Sequence, residues 1–216
     1  ADLLKLLILH NIEDLRGMLS LLKMMSYYDF FESIKNIPTC TFNDGEASNK
    51  DINLPVRAVK VGANYYNDHH GNRRQEVVMN LSIEADLPVE IKMNYEGMHF
   101  KAEGNSAMLR VPLLESELKY YYANYKDYFY LPGEDQALHK SIAAFVDKAR
   151  RTQATAATCY TRKFSQYLRE WDLIFTPFFK KDYHDKELYF ELDDNIKRSR
   201  LAMSLYAAHI ISVMAD

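Results

Sequence analysis

The feature that most limits what this chain can fold into is a strict alternation of apolar and polar residues between positions 76 and 113. Val77, Met79, Leu81 and Ile83 alternate with Val78, Asn80, Ser82 and Glu84, and Val89, Ile91, Met93 and Tyr95 alternate with Glu90, Lys92, Asn94 and Glu96. Met98 and Phe100, then Leu109, Val111 and Leu113, extend the pattern. Successive strand side chains point to opposite faces, so this period specifies strands with one buried face and one wet face. Glu96-Gly97 and Gly104-Asn105-Ser106 carry turn chemistry, because Gly and Asn take positive φ at little cost. The expectation is an antiparallel meander over residues 52–114, with a further strand within Leu54 to Tyr66.

The flanks change period. Leu4, Ile8, Leu15, Leu19 and Leu22 recur at helical spacing, and the Asn11 to Asp14 cluster offers caps for a second helix after a short break. Beyond the sheet, Glu134 and Asp135 suit a helix N-terminus, and Leu138, Ile142, Phe145 and Ala149 form an apolar stripe, which predicts a helix over 134–151. Leu173 to Phe179 and Glu187 to Leu192 read as short strands. Asp193 or Asp194 caps a final helix that reaches Met214 and is apolar at Met203, Tyr206, Ile210 and Val213. The fold class is therefore α+β, with N-terminal helices followed by an antiparallel β-sheet meander packed with helices. The polar stretch Asn43 to Lys50 is the best linker candidate, dividing the chain into residues 1–42, a linker at 43–51, and a module at 52–216.

Length and charge exclude several classes. At 216 residues the chain holds one full domain and a fraction of another. Lys and Arg number 27 against 30 Asp and Glu, so no global basic field draws in polyanions, and any nucleic-acid contact is a local patch. Cys40 and Cys159 are the only cysteines and form no CxxC pair, which argues against a disulfide framework or zinc knuckle and for a reducing cytoplasm. The apolar opening Leu3 to Leu9 is too short to span a bilayer and lacks the flanks of a signal peptide, so no membrane partner is expected. Starting at Ala1 inside a periodic segment, without Met, the sequence reads as a piece of something longer. It contains no phosphate-binding Gly-rich loop, nucleophile elbow or HExxH motif.

One short motif carries chemistry. Leu9-His10-Asn11-Ile12-Glu13-Asp14-Leu15, followed by Met18-Leu19-Ser20-Leu21-Leu22, places His10 and Asp14 one helical turn apart on one face. It resembles the last motif of the bacterial ribonuclease-H-like 3′–5′ exonuclease family with four acidic metal ligands, over residues 2–31. Tyr125 to Asp135, His139-Lys140-Ser141 and Cys159 to Lys163 are similar to a C-terminal extension carried by some of those proteins. The resemblance implies that Asp14 is a metal ligand for Mg²⁺ or Mn²⁺ and that His10 stands on the side of the attacking water. It also implies that the remaining carboxylates belong to a missing upstream catalytic domain. This chain is then a remnant of a metal-dependent exonuclease, expected to show no nuclease activity by itself.

The other candidates are aromatic and basic. Six of the sixteen tyrosines lie between Tyr120 and Tyr130, and residues 133–163 hold six basic residues against three acidic ones. Tyr121, Tyr125 and Tyr128 with Lys140, Lys148, Arg150, Arg151, Arg162 and Lys163 are a candidate single-strand platform, with rings stacking on bases and cations on phosphates. The alternative is a non-catalytic interaction module that meets protein or carbohydrate through a Tyr-rich surface. His69-His70 beside Asp68 reads as a solvated turn, His209 as a core residue, and Cys159 as a buried thiol without a catalytic partner.

Overall fold

The computed structural model describes every residue except Ala1, Thr39, Asp44, Gly45, Lys50, Asp68, His69 and Asp216. Helices α1 (Asp2–Leu22) and α2 (Met25–Lys35) lead into short strands β1 (Phe42–Asn43) and β2 (Glu46–Ala47), then long strands β3 (Val56–Asn67), β4 (Arg73–Tyr95) and β5 (Met98–Tyr121). Strands β6 (Tyr128–Leu131) and β7 (Gln136–His139), helix α3 (Lys140–Ala143), β8 (Thr152–Gln153) and β9 (Tyr160–Glu170) follow. The chain ends with β10 (Phe175–Thr176), β11 (Phe178–Phe179), β12 (Leu188–Glu191), α4 (Asp194–Arg198) and α5 (Arg200–Ala215). The fold is α+β. Its contacts form two compact units, residues 1–40, 49–112 and 197–216 in the first and residues 41–48 and 113–196 in the second.

In the first unit the sheet order is β3-β4-β5, continuing only as far as residue 112 of β5. β3 runs antiparallel to β4, from Val56 opposite Ile83 to Asn67 opposite Arg73. The predicted alternation buries Val77, Met79, Leu81 and Ile83 on one face, against α5 with Met203, Tyr206 and Ile210 and against α2 with Phe30 and Ile34. Phe30 stacks on Phe100 at 6.4 Å. Buried Ser204 is satisfied twice, accepting from the Ala58 N–H at 2.8 Å and donating to the Arg200 carbonyl at 2.6 Å. Past the end of β3, the Tyr27 hydroxyl donates to the Val89 carbonyl at 2.6 Å and accepts from its N–H at 2.8 Å, filling the place of a strand partner.

The turn at Glu96-Gly97 is present, with φ of 46° and 81°, the positive pair a two-residue hairpin requires. The second expected turn is not. β5 runs unbroken through Gly104-Asn105-Ser106, and Gly104 takes φ of 58° inside the strand. Burial is on even positions at Met98, Phe100 and Ala102 and on odd positions at Ala107, Leu109 and Val111. That change of phase marks an extra residue in the strand, so the glycine makes a bulge where a reversal was expected.

Across the same sheet, Glu76 is 3% exposed and its Oε1 accepts from Asn64 Nδ2 at 2.8 Å, Arg110 Nε at 2.9 Å and Arg110 Nη2 at 2.8 Å. Removing the cation would strand a buried carboxylate. Because Arg110 is itself a third exposed, Arg110→Ala is expected to cost about 2 kcal/mol in urea unfolding, below the full loss for a buried pair. Replacing both partners, Glu76→Leu with Arg110→Met, is expected to recover most of it.

In the second unit the sheet order is β5-β9-β12-β11, with Leu114 opposite Tyr167 and Tyr121 opposite Tyr160. Small sheets β7-β6-β8 and β10-β1-β2 complete it, so described residues of the expected linker, Asn43, Glu46 and Ala47, pair in strands β1 and β2. One core cluster is Leu118, Tyr167, Phe179 and Tyr189; another is Ala137, Ala154 and Cys159 with Tyr122, Tyr128 and Tyr130 against it.

Three helical expectations are corrected. No break occurs at Asn11 to Asp14: α1 continues to Leu22, and the Asp14 carboxylate meets the His10 ring one turn before it. The helix expected over 134–151 is a strand, a four-residue helix and a 3-10 turn at Lys148–Arg150. Asp135 adopts φ of 50°, which ends any helix there, and residues 136–139 pair with Tyr128–Leu131. Asp193 Oδ1 accepts from the Ile196 N–H at 2.7 Å as expected, but the helix it caps is the five-residue α4; the chain breaks at Ser199, and α5 starts afresh at Arg200 with Ser199 Oγ accepting from the Ala202 N–H at 3.2 Å.

Candidate functional site

His10 and Asp14 stand on one face of α1, with Nδ1 and Oδ2 3.1 Å apart and side chains 71% and 61% exposed. The i,i+4 spacing of a continuous helix makes the contact, and its exposure leaves both groups open to solvent. Asp14 lies in the middle of the helix, far from the N-terminal turn in which an Asp serves the backbone dipole. The residues around it do not complete a metal site. Among the described residues no three His, Cys, Asp or Glu side chains gather in a ligating group, and a single carboxylate does not hold a divalent ion.

The tyrosines of the candidate platform are mostly spent on one another. Tyr128 stacks on Tyr122 at 4.5 Å and meets His139 edge-on at 5.4 Å; burial pushes its hydroxyl up from its ordinary pKa. Tyr121 packs edge-on to Tyr160 at 5.3 Å and Tyr183 at 5.4 Å, and burial, then Asp182, push it up to about 12. Tyr125 alone of the three is exposed, at 38%.

The basic residues divide in the same way. Lys140 Nζ holds Asp127 at 2.7 Å, Lys163 Nζ holds Glu191 at 2.6 Å, and Arg162 bonds Glu117 at 3.1 Å and the Glu134 carbonyl at 3.2 Å. Arg151 donates to the Ala143 carbonyl and covers the Phe129 ring at 4.9 Å. Lys148 and Arg150 are exposed, and their side chains bond no described residue. Ion pairs, hydrogen bonds and ring packing engage six of the nine residues, leaving Lys148, Arg150 and Tyr125 exposed.

No family model, curated protein or solved structure matches this chain.

A polar cluster around Asp135 has little signal in the sequence. Asp135 Oδ1 accepts from the Tyr130 hydroxyl at 2.6 Å and from the Tyr160 hydroxyl, while Arg162 Nε lies 3.7 Å from Oδ2. The Tyr130 and Tyr160 bonds hold the Asp135 carboxyl below its usual range. Lys119 Nζ sits over the Tyr160 ring at 4.5 Å. Every charge here is met by its neighbours, and the cluster pins the turn between β6 and β7. The one sequence signal was Gly133-Glu134-Asp135 after Pro132, turn chemistry that the apolar stripe behind it overrode. Asp68 and His69 of the paired-histidine loop lie outside the described residues. Cys159 is fully buried, and burial pushes its thiol up to about 11, away from nucleophilic use. No described helix is long and apolar enough to cross a membrane.

Proposed function

We propose that this chain is the C-terminal part of a ribonuclease-H-like, metal-dependent exonuclease acting on nucleic acid. One observation carries the reading: the His10 and Asp14 that the resemblance assigns to the water side and the metal side stand 3.1 Å apart on an exposed face of a continuous helix. An imidazole held against a carboxylate is oriented by it, and a carboxylate open to solvent is open to an ion. Asp14 supplies one oxygen donor of the kind Mg²⁺ or Mn²⁺ takes, and the other carboxylates come from outside the described residues. In this reading α1 carries the catalytic motif and the module of residues 52–216 helps bind substrate, while α2 packs through Phe30 and Ile34 into the same compact unit as β4 and α5, so the expected boundary at 43–51 does not separate two packed bodies. The buried thiols Cys40 and Cys159, neither of them in a disulfide, fit a reducing cytoplasm. The alternative, a protein- or carbohydrate-binding module working through a tyrosine surface, draws less support because Tyr121 and Tyr128 are packed against other rings.

The test is Mg²⁺-dependent degradation of a labelled strand by the chain joined to the residues encoded upstream of Ala1. Loss of turnover on Asp14→Asn supports the reading; undiminished turnover overturns it.

A further inference from the structure

We infer that the small sheet β7-β6-β8 of the second unit carries a contact surface for single-stranded nucleic acid, with Phe145 as its stacking ring. The inference rests on the proposed function for the class of its partner, and its residues are not those of the His10–Asp14 site.

Phe145 is 91% exposed and Ile142, one turn before it, 57%. A bare phenyl ring gains from a partner that covers it. The ring stands on a braced frame. Lys140 ties the start of α3 to Asp127 at 2.7 Å, Arg151 ties the Ala143 carbonyl to the Phe129 ring, Asp147 Oδ1 accepts from the Ala149 N–H at 3.1 Å, and α3 packs on β6 and β7.

Charge points to the occupant. Residues 140–151 hold Lys140, Lys148, Arg150 and Arg151 against Asp147, a local balance of +3 in a chain of −3. Lys126, Lys148 and Arg150 are exposed, with side chains that bond no described residue. The Tyr125–Lys126 turn is joined to edge strand β8, because Gln153 Nε2 donates to the carbonyls of Tyr125 at 3.3 Å and Lys126 at 3.2 Å. The turns flanking the sheet thus carry exposed rings at Phe145 and Tyr125 and three uncommitted cations, beside exposed polar Thr152 of β8. Rings that stack on bases and cations that meet phosphates suit a single strand, whose base faces are open. A bilayer calls for continuous apolar area, which the polar residues of β8 interrupt.

Fluorescence anisotropy with labelled oligothymidylate and oligouridylate tests this on the full chain. We expect binding with a log–log salt slope of about −2, from three phosphate contacts. Phe145→Ser is expected to weaken it roughly tenfold, the scale of one lost base stack. Lys148→Gln with Arg150→Gln is expected to reduce the slope to about one third of its value. Because these side chains are exposed, thermal unfolding should match the parent. No binding at low salt, or affinity unchanged in Phe145→Ser, overturns the inference. So does Phe145-dependent binding to phosphatidylserine vesicles without oligonucleotide binding. The binding readout uses neither metal nor the His10–Asp14 pair, so failure of the exonuclease reading leaves this result standing, and the reverse.

Discussion

Asp14→Asn is expected to lower Mg²⁺-dependent exonuclease turnover on the order of 10³-fold or more in the chain joined to its upstream residues, the scale of losing a group that acts in the reacting centre. The neutral amide keeps the size of the side chain while removing the anionic oxygen a hard cation requires. His10→Ala is expected to cost about 10²-fold, as a residue that positions or deprotonates water. Both side chains are more than half exposed, so circular dichroism and unfolding midpoints should not move, and the losses report on chemistry alone. The 216-residue chain by itself is expected to show no turnover with Mg²⁺ or Mn²⁺. Activity of that chain abolished by Asp14→Asn would mean that the carboxylates are all within it, and would sink the incomplete-site reading.

A second large effect is expected from pH. Glu170, at the end of β9, is 1% exposed. Its Oε2 accepts from the N–H groups of Ile174 at 3.1 Å and Phe175 at 3.0 Å, while Oε1 is buried without a hydrogen-bond partner. Burial pushes the carboxyl up to about 7 from 4.5; the two backbone N–H groups pull it down and the Asp172 charge pushes it up. A carboxyl raised on folding binds its proton more tightly in the native state, so this group favours the fold most below pH 4.5 and progressively less as pH rises through 7. The difference of 2.5 pH units corresponds to about 3 kcal/mol lost between pH 4.5 and 8. Asp127, Asp135 and Glu187 are lowered by their partners and weaken the fold only as they are protonated at acid pH, so they do not mask the fall above pH 5. Urea unfolding at a series of pH values reads the effect. Glu170→Gln is expected to flatten the profile and to be more stable than the parent at pH 8. Parallel profiles for the two proteins would refute the assignment.

Where sequence and structure agree, the governing interaction is local or set by a single buried face. Val77, Met79, Leu81 and Ile83 sit where their alternation puts them, because a strand covered on one side has no other way to bury every second residue. The His10–Asp14 pair was legible because a helix places i and i+4 together. Gly104 could be read only as a point of positive φ, which serves a turn or a bulge equally well; β4 running on through Ala85 and Asp86 beside it made it a bulge. The stripe Leu138, Ile142, Phe145, Ala149 is a sound helical pattern that lost to non-local partners. Pairing of 136–139 with β6 and the two tyrosine hydroxyls on Asp135 outweigh one marginal helix.

The sequence by itself determined the α+β class, the one-faced strands and the same-turn relation of His10 to Asp14, all consequences of backbone period acting within a few residues. Only the tertiary structure decided which tyrosines and cations remain open. Lys140 differs from Lys148, and Tyr121 from Tyr125, by what stands beside each across the fold, and a carboxylate or ring brought in from tens of residues away leaves no trace in local spacing.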